Sequence, residues 1–202
     1  MMPVVLRRAL LGALAGPAAG LWLAVAAAAQ TPQPAAPQPA DAELEGGLAV
    51  VYFFNDFRHV NEILEWQDYR DGKAGPPVPR LDYNVGVGEV LTSGETDGVG
   101  AEITGLIRLD TPGTYAFAAQ SNDGVRLEIG GVPVLEDPDV HADRFSEIVQ
   151  VQIGEAGWYP IKILYFERKN TSTLELYWQP PGDESATMPL VPAEVLAHRT
   201  GS

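Results

Sequence analysis

The feature that most narrows what this chain can fold into is a two-residue alternation of apolar and polar side chains, repeated in short runs between turn residues. In "AEITGLIRL" (101–109), Ala101, Ile103, Ile107 and Leu109 share one side. In "GTYAFAAQ", Tyr115, Phe117 and Ala119 do the same, and Val125, Leu127 and Ile129 alternate with Arg126 and Glu128. "IVQVQI" turns Val149, Val151 and Ile153 one way and its glutamines the other, and "TLELYW" aligns Leu174, Leu176 and Trp178. Successive side chains of a strand point to opposite faces, so this period buries one face of a sheet; a helix needs 3.6. "WYPIKILYF" (158–166) is apolar on both faces except at Lys162, as a central strand would be, and "LAVVYFF" (48–54) also reads as a buried strand.

Gly, Pro, Asn and Asp separate these runs, so the expected fold is all-β, an antiparallel sandwich or barrel with minor short helical segments. "TLELYW" is expected to pair back onto the preceding strand across the loop "ERKNTS". Two stretches resist the pattern. Residues 58–72 read as a helical turn or two, or an irregular excursion. "PAEVLAHR" (192–199) reads as a short closing helix with Pro192 at its start.

The chain ahead of these strands is different in kind. Arg7 and Arg8 precede an uncharged stretch, Ala9 to Ala29, that ends in small residues before Gln30, the layout of a secretory leader over 1–29. The same stretch is about long enough to span a bilayer, so an uncleaved anchor is the alternative. Residues 30–45, rich in Pro, Ala and Gln, are expected to be a flexible spacer that buries almost nothing. The folded unit is then expected over 46–198, in an exported protein, periplasmic or secreted.

With 27 acidic against 13 basic residues the chain carries a net charge of −14, and losing Arg7 and Arg8 would take it to about −16. Such a surface repels phosphate backbones, so no nucleic-acid partner is expected. The absence of Cys removes disulfides and thiolate metal sites. His59, His141 and His198 accompany no nucleophile motif, and "VGVGEV" lacks the third glycine and helix of a dinucleotide site, so no enzyme is expected. A glycoside hydrolase remains a distant alternative, because a carboxylate pair at catalytic spacing is invisible in sequence.

"GTYAFAAQSNDGVRLEIGGVPVLED", His141 and "EAGWYPIKILYFERKNTSTLELYWQPPG" together resemble the domain named after anthrax toxin protective antigen, the PA14 (PA-fourteen) domain. The resemblance runs from "GGLAVVYF" to "MPLVPAEVLAH" and implies a β-sandwich of barrel-like shape, used as an accessory module in glycosidases, toxins and adhesins. In its sugar-binding members two adjacent, cis-linked aspartates hold a calcium ion that grips sugar hydroxyls. The matching positions here are Asn122 and Asp123, so one charge is missing, and calcium affinity rises with ligand charge. The second ligand loop corresponds to "FERKNTS", where Glu167 and Asn170 are the oxygen donors and Arg168 and Lys169 would repel a cation unless turned away. On this reading Asn122, Asp123 and Glu167 are the metal residues.

A competing reading stays open at the loop itself. Asp-Gly between two alternating runs is a strong hairpin signal, since Gly accepts a positive φ and Asp bonds its own backbone. "EDPDVHADR" (136–144) is rich in carboxylates but lacks the spacing of a calcium loop, and His141 corresponds to a structural histidine of the family. Among the aromatics, Trp158 and Trp178 lie on strands and are expected to pack. Trp66 and Tyr69, in the irregular stretch, are the candidates for an exposed platform that stacks on sugar rings. The expected function is a non-catalytic binding module for a glycan, with calcium as its potential cofactor. The alternative is a structural or interaction domain for an envelope or extracellular protein, with no metal.

Overall fold

Each run that alternates in the sequence is a strand in the computed structural model, which describes residues 31–201; the predicted leader lies outside them. In chain order the strands are β1 (Leu44–Gly46), β2 (Ala49–Phe54), β3 (Lys73–Ala74), β4 (Asp82–Gly86), β5 (Val99–Leu109), β6 (Gly113–Asn122) and β7 (Val125–Ile129). There follow β8 (Val132–Asp137), β9 (Arg144–Phe145), β10 (Val149–Ile153), β11 (Gly157–Glu167), β12 (Ser172–Gln179) and β13 (Leu196–Arg199), with one helix, α1 (Asn61–Gln67).

These form two antiparallel sheets. The first runs β1-β13-β5-β11-β7-β8, with β2 alongside β5 and β3 alongside β2; the second runs β10-β6-β12-β4, with β9 alongside β6. Their inner faces supply one core. From the first sheet come Ala101, Ile103, Ile107, Ile161 and Ile163, and from the second Tyr115, Phe117, Leu174, Leu176 and Trp178. The all-β sandwich is therefore the fold found. Strand β11 is central, flanked by β5 and β7, and its alternation decides what each residue meets. Tyr159, Ile161, Ile163 and Tyr165 face the core between the sheets. Leu164 and Phe166 face outward into a second cluster with Phe57, Val60 and Ile63, where α1 covers the outer face. That covering explains a run apolar on both sides. Gly100 lets α1's approach segment come close, since a Cβ there would lie 2.6 Å from the Phe57 ring.

The loop pairings differ from expectation. β6 pairs with β10, β12 and β9, whereas β7 pairs with β11 and β8, so Asn122-Asp123-Gly124 is not a hairpin turn but a crossing from one sheet to the other. Gly124 is not needed for a positive φ; a Cβ there would lie 2.5 Å from the Phe166 ring and 2.6 Å from the Pro138 carbonyl. "ERKNTS" likewise crosses between sheets, because β12 pairs with β6 and β4 rather than with β11. Local turn chemistry cannot tell a hairpin from a crossover when both flanking strands alternate. The closing helix is also corrected. Only Ala193–Val195 make a single 3-10 turn, and Leu196–Arg199 form β13, because pairing with β1 and β5 buries Leu196 and Ala197.

The spacer expectation fares differently from the strands. Residues 31–43 lie along the sandwich. Gln33 N donates to Gly130 O (3.0 Å) and Ala35 N to Trp158 O (2.8 Å). The Gln38 amide donates to Trp158 O (3.0 Å) and accepts from Trp158 N (2.8 Å), and Pro32 and Pro39 are buried. The prolines favour an extended chain, and an extended chain beside a sheet edge can satisfy the groups left open there. Replacing Gln38 with Ala is expected to lower the unfolding free energy by about 1–2 kcal/mol, measured by urea titration; a freely moving spacer would give no change.

Candidate functional site

The two sheet crossings lie side by side at one end of the sandwich, and the residues that follow from strand parity meet there. Glu167 ends β11 on the same side as Tyr165, so its carboxylate points into the gap between the sheets rather than toward α1. It is fully buried (0% exposed), and neither of its oxygens has a hydrogen-bond partner. An ionised carboxylate so placed costs several kcal/mol unless a cation or a proton joins it. Burial accordingly pushes the acid up from 4.5 to about 7, with the nearby charges of Asp97 and then Asp123 adding to the rise. The Gly98 amide lies close enough to offset part of that rise, although its hydrogen bond goes to Arg168 O at 3.1 Å and not to the carboxylate.

Asp123 stands across the gap, 4% exposed. Its Oδ1 accepts from His141 N (3.0 Å) and its Oδ2 from Arg168 N (2.8 Å), which pins two loops to the crossing. Burial raises its pKa above the ordinary carboxylate value, despite the opposing pull of those two amides. The bond from Asn122 to Asp123 is cis. Asn122 donates from Nδ2 to Thr171 Oγ1 (2.7 Å), and its carbonyl accepts from the Tyr165 hydroxyl (2.7 Å). That hydroxyl also meets Ser172 Oγ (3.0 Å), and burial pushes the phenol far above its ordinary range. Asn170, in the left-handed region at φ 79°, donates its amide to Asp97 Oδ1 at 2.7 Å. Asn122, Asp123, Val140, His141, Lys169 and Asn170 are among the residues lining an open cavity of about 340 Å³.

Arg168 also lines this mouth and its charge is felt at Asp123, but it is paired elsewhere. Its guanidinium turns to Asp56, with Nε 2.6 Å from Oδ1 and Nη2 3.1 Å from Oδ2, and the pair holds the Asp56 carboxyl below its ordinary range. Calcium takes several oxygen ligands at once, from carboxylates, amides, carbonyls and water. The unpartnered oxygens of Glu167 suit such an ion, and each Asp123 oxygen keeps a second lone pair beside its amide bond. Among the described residues, no three His, Asp or Glu side chains are grouped so as to hold a metal by themselves. A cation here would rest on Asp123 and Glu167, completed by neutral oxygens such as that of Asn122.

The structure thus brings Asn122, Asp123, Glu167 and Asn170 together and leaves the aromatic candidates apart. Trp66 is not an exposed platform. It packs edge-on against Phe57 (6.4 Å between ring centroids) in the cluster beneath α1, because the helix needs an apolar side to sit on the sheet. Tyr69 is 77% exposed but does not line this cavity. Trp178 packs against Tyr115 as expected, whereas Trp158 is half-buried under the Arg108 guanidinium. The histidines are scattered: His59 accepts from Asn61 N, His198 meets Gly47 O, and the His141 ring lies 3.3 Å from Asp137. Sequence reasoning passed over Asp97, Asp56 and Tyr165. A signal for Asp97 was present, since "TDGVG" repeats the Asp-Gly-Val of "NDGVR" just ahead of another strand.

The family model for the PA14 domain matches residues 84–191, more than half of the chain. The anti-sigma-I factor RsgI3 of Acetivibrio thermocellus is 26% identical over 112 residues, which cover 55% of this chain and 17% of that protein. Among solved structures, the PA14 domain of the antifreeze protein MpAFP superposes with a TM-score of 0.65 at 16% identity, covering 79% of this chain and 94% of that one. The A domain of epithelial adhesin 9 from Candida glabrata, in complex with Galβ1-4GlcNAc, gives 0.63 at 13% identity, covering 85% and 99%. At such identities the structural likeness is one of fold. The chain belongs to the PA14 domain family.

The raised acid at Glu167 sets a pH signature for the metal-free protein. Between 4.5 and about 7 the folded state keeps a proton that the unfolded state has released, so this group's effect is to lower stability as pH rises through that window. Thermal melts without divalent ions are expected to show that decline. Glu167→Gln, which keeps the shape and removes the charge, should flatten it and melt higher than the parent at pH 8.

Proposed function

We propose that this PA14 domain is a non-catalytic carbohydrate-binding module that meets its glycan at the paired sheet crossings, with calcium held by Asp123, Glu167 and the side-chain oxygen of Asn122. The observation that carries the reading is the Glu167 carboxylate, buried with both oxygens unpartnered beside Asp123. A fold can keep that arrangement only with a proton or a cation to complete it, and above the raised pKa a cation is what remains. A calcium ion there would supply open coordination positions for vicinal sugar hydroxyls, and Asn170 and Lys169 at the rim would offer hydrogen bonds. The galactoside complex of the Candida glabrata adhesin domain supports the ligand class. Export through the leader fits a module that meets glycans outside the cell, and no helix among the described residues is long and apolar enough to cross a membrane.

A second reading, a protein-interaction domain, draws on a different face. Phe145 (59% exposed) and Ile148 (63% exposed) stand beside Tyr177 and Met188 around an apolar recess on the outside of the second sheet. Exposed apolar patches of this kind mark protein contacts when they are large and continuous.

A ligand that binds only the folded state raises its melting temperature. Calcium is expected to raise the melt of the parent by several degrees and to leave Asp123→Ala unmoved. An array of glycans probed in calcium and then in EGTA should show binding that is lost with the ion. No calcium shift, together with no glycan bound in either condition, would leave the interaction domain as the reading; release of reducing sugar would overturn the non-catalytic assignment.

A further inference from the structure

Asp97 stands on the third loop at the same end. Two residues ahead of β5, it continues the ladder in which Val99 faces Glu167, and the adjoining Gly98 bonds the Arg168 carbonyl. Its carboxylate accepts from Asn170 N at 2.7 Å and from the Thr96 hydroxyl at 3.2 Å. Of the charges around Glu167, that of Asp97 acts on it more strongly than that of Asp123. Asp97 is exposed while Glu167 is fully buried, so one carboxylate is solvated and the other unpartnered at the same end of the sandwich. Arg168 and Lys169 line the same recess as Asp97. Arg168, the nearest guanidinium along the chain, is engaged with Asp56.

We propose that Asp97 is a positioning residue for the cation site, supplying from the β5 side the negative charge that Asn122 lacks on the β6 side and holding the 168–171 loop through Asn170. The inference rests on the calcium reading above and names a group that reading does not use. Asp97 acts through the local potential and the loop it holds, not as a ligand: a negative charge on the Glu167 side favours a bound divalent ion, as it favours a proton when no ion is there. The loop it bonds carries Lys169 and Asn170, so the same residue sets where the rim stands.

The predicted signature has opposite signs in two measurements. Asp97→Asn keeps an oxygen to accept the Asn170 amide and removes the charge. Without calcium it should melt at least as high as the parent, because a like-charge repulsion has gone. Its calcium affinity by isothermal titration calorimetry should fall by about tenfold. Asp97→Ala loses the loop contact too, and Asp97→Glu should recover most of the affinity. If Asp97→Asn binds calcium as tightly as the parent while Asp123→Ala does not bind, the inference is overturned and the calcium site stands. If the affinity falls only in step with a lower metal-free melt, Asp97 is a plain structural support and the inference is again overturned. If the parent itself takes up no calcium, both fail.

Discussion

One hydroxyl ties the two layers together at the end where they open. Tyr165 leaves β11 in the first sheet, and its phenol bonds the carbonyl that ends β6 and the serine that begins β12, both in the second. A buried phenol without partners would be costly, and so would a buried carbonyl. Here each satisfies the other, with no water between them. The bond fixes the spacing of the sheets just below the crossings, and everything above it inherits that spacing: Asn122, Thr171 and the turn of chain that presents Asp123.

What lies above is held to a different standard of satisfaction. Asp123 has a backbone amide on each oxygen, Asp97 has an amide and a hydroxyl, and Asp56 has a guanidinium. Glu167, the most deeply buried of the four, has nothing. The structural bonds therefore go to the surrounding aspartates, and the carboxylate buried behind them is left without one. That division separates a scaffold from a site more sharply than the mere count of acidic side chains, which in a chain of this charge is high everywhere.

Strand identity was legible because a sandwich core demands it: a period of two is required wherever one face is dry, and the tyrosines, leucines and isoleucines on the inner faces obey it. The resemblance carried the family and drew attention to Asn122, Asp123 and Glu167. Sheet membership was not legible. The hairpin and the crossover share the same Asp-Gly signal, and which partner a strand takes depends on edges far away in sequence. Trp66 was misjudged for a related reason, since seven residues of helix reveal their buried side only once there is a sheet to lie on. Asp97 was overlooked because its importance is a matter of register: nothing near it in the chain announces that it will stand beside a glutamate seventy residues later. The proline-rich stretch was read from composition, which reports stiffness but not whether a sheet edge waits to receive it.

That docked stretch has a geometrical effect. It is fastened to the turn after β7 and to the first residues of β11, whereas the crossings sit where β11 ends. An extended strand of 11 residues spans roughly 35 Å. The polypeptide therefore arrives at the base of the sandwich and runs along it without a swivel. The docked segment is thus kept about a strand length from the crossings, at the other end of the bracket that β11 makes.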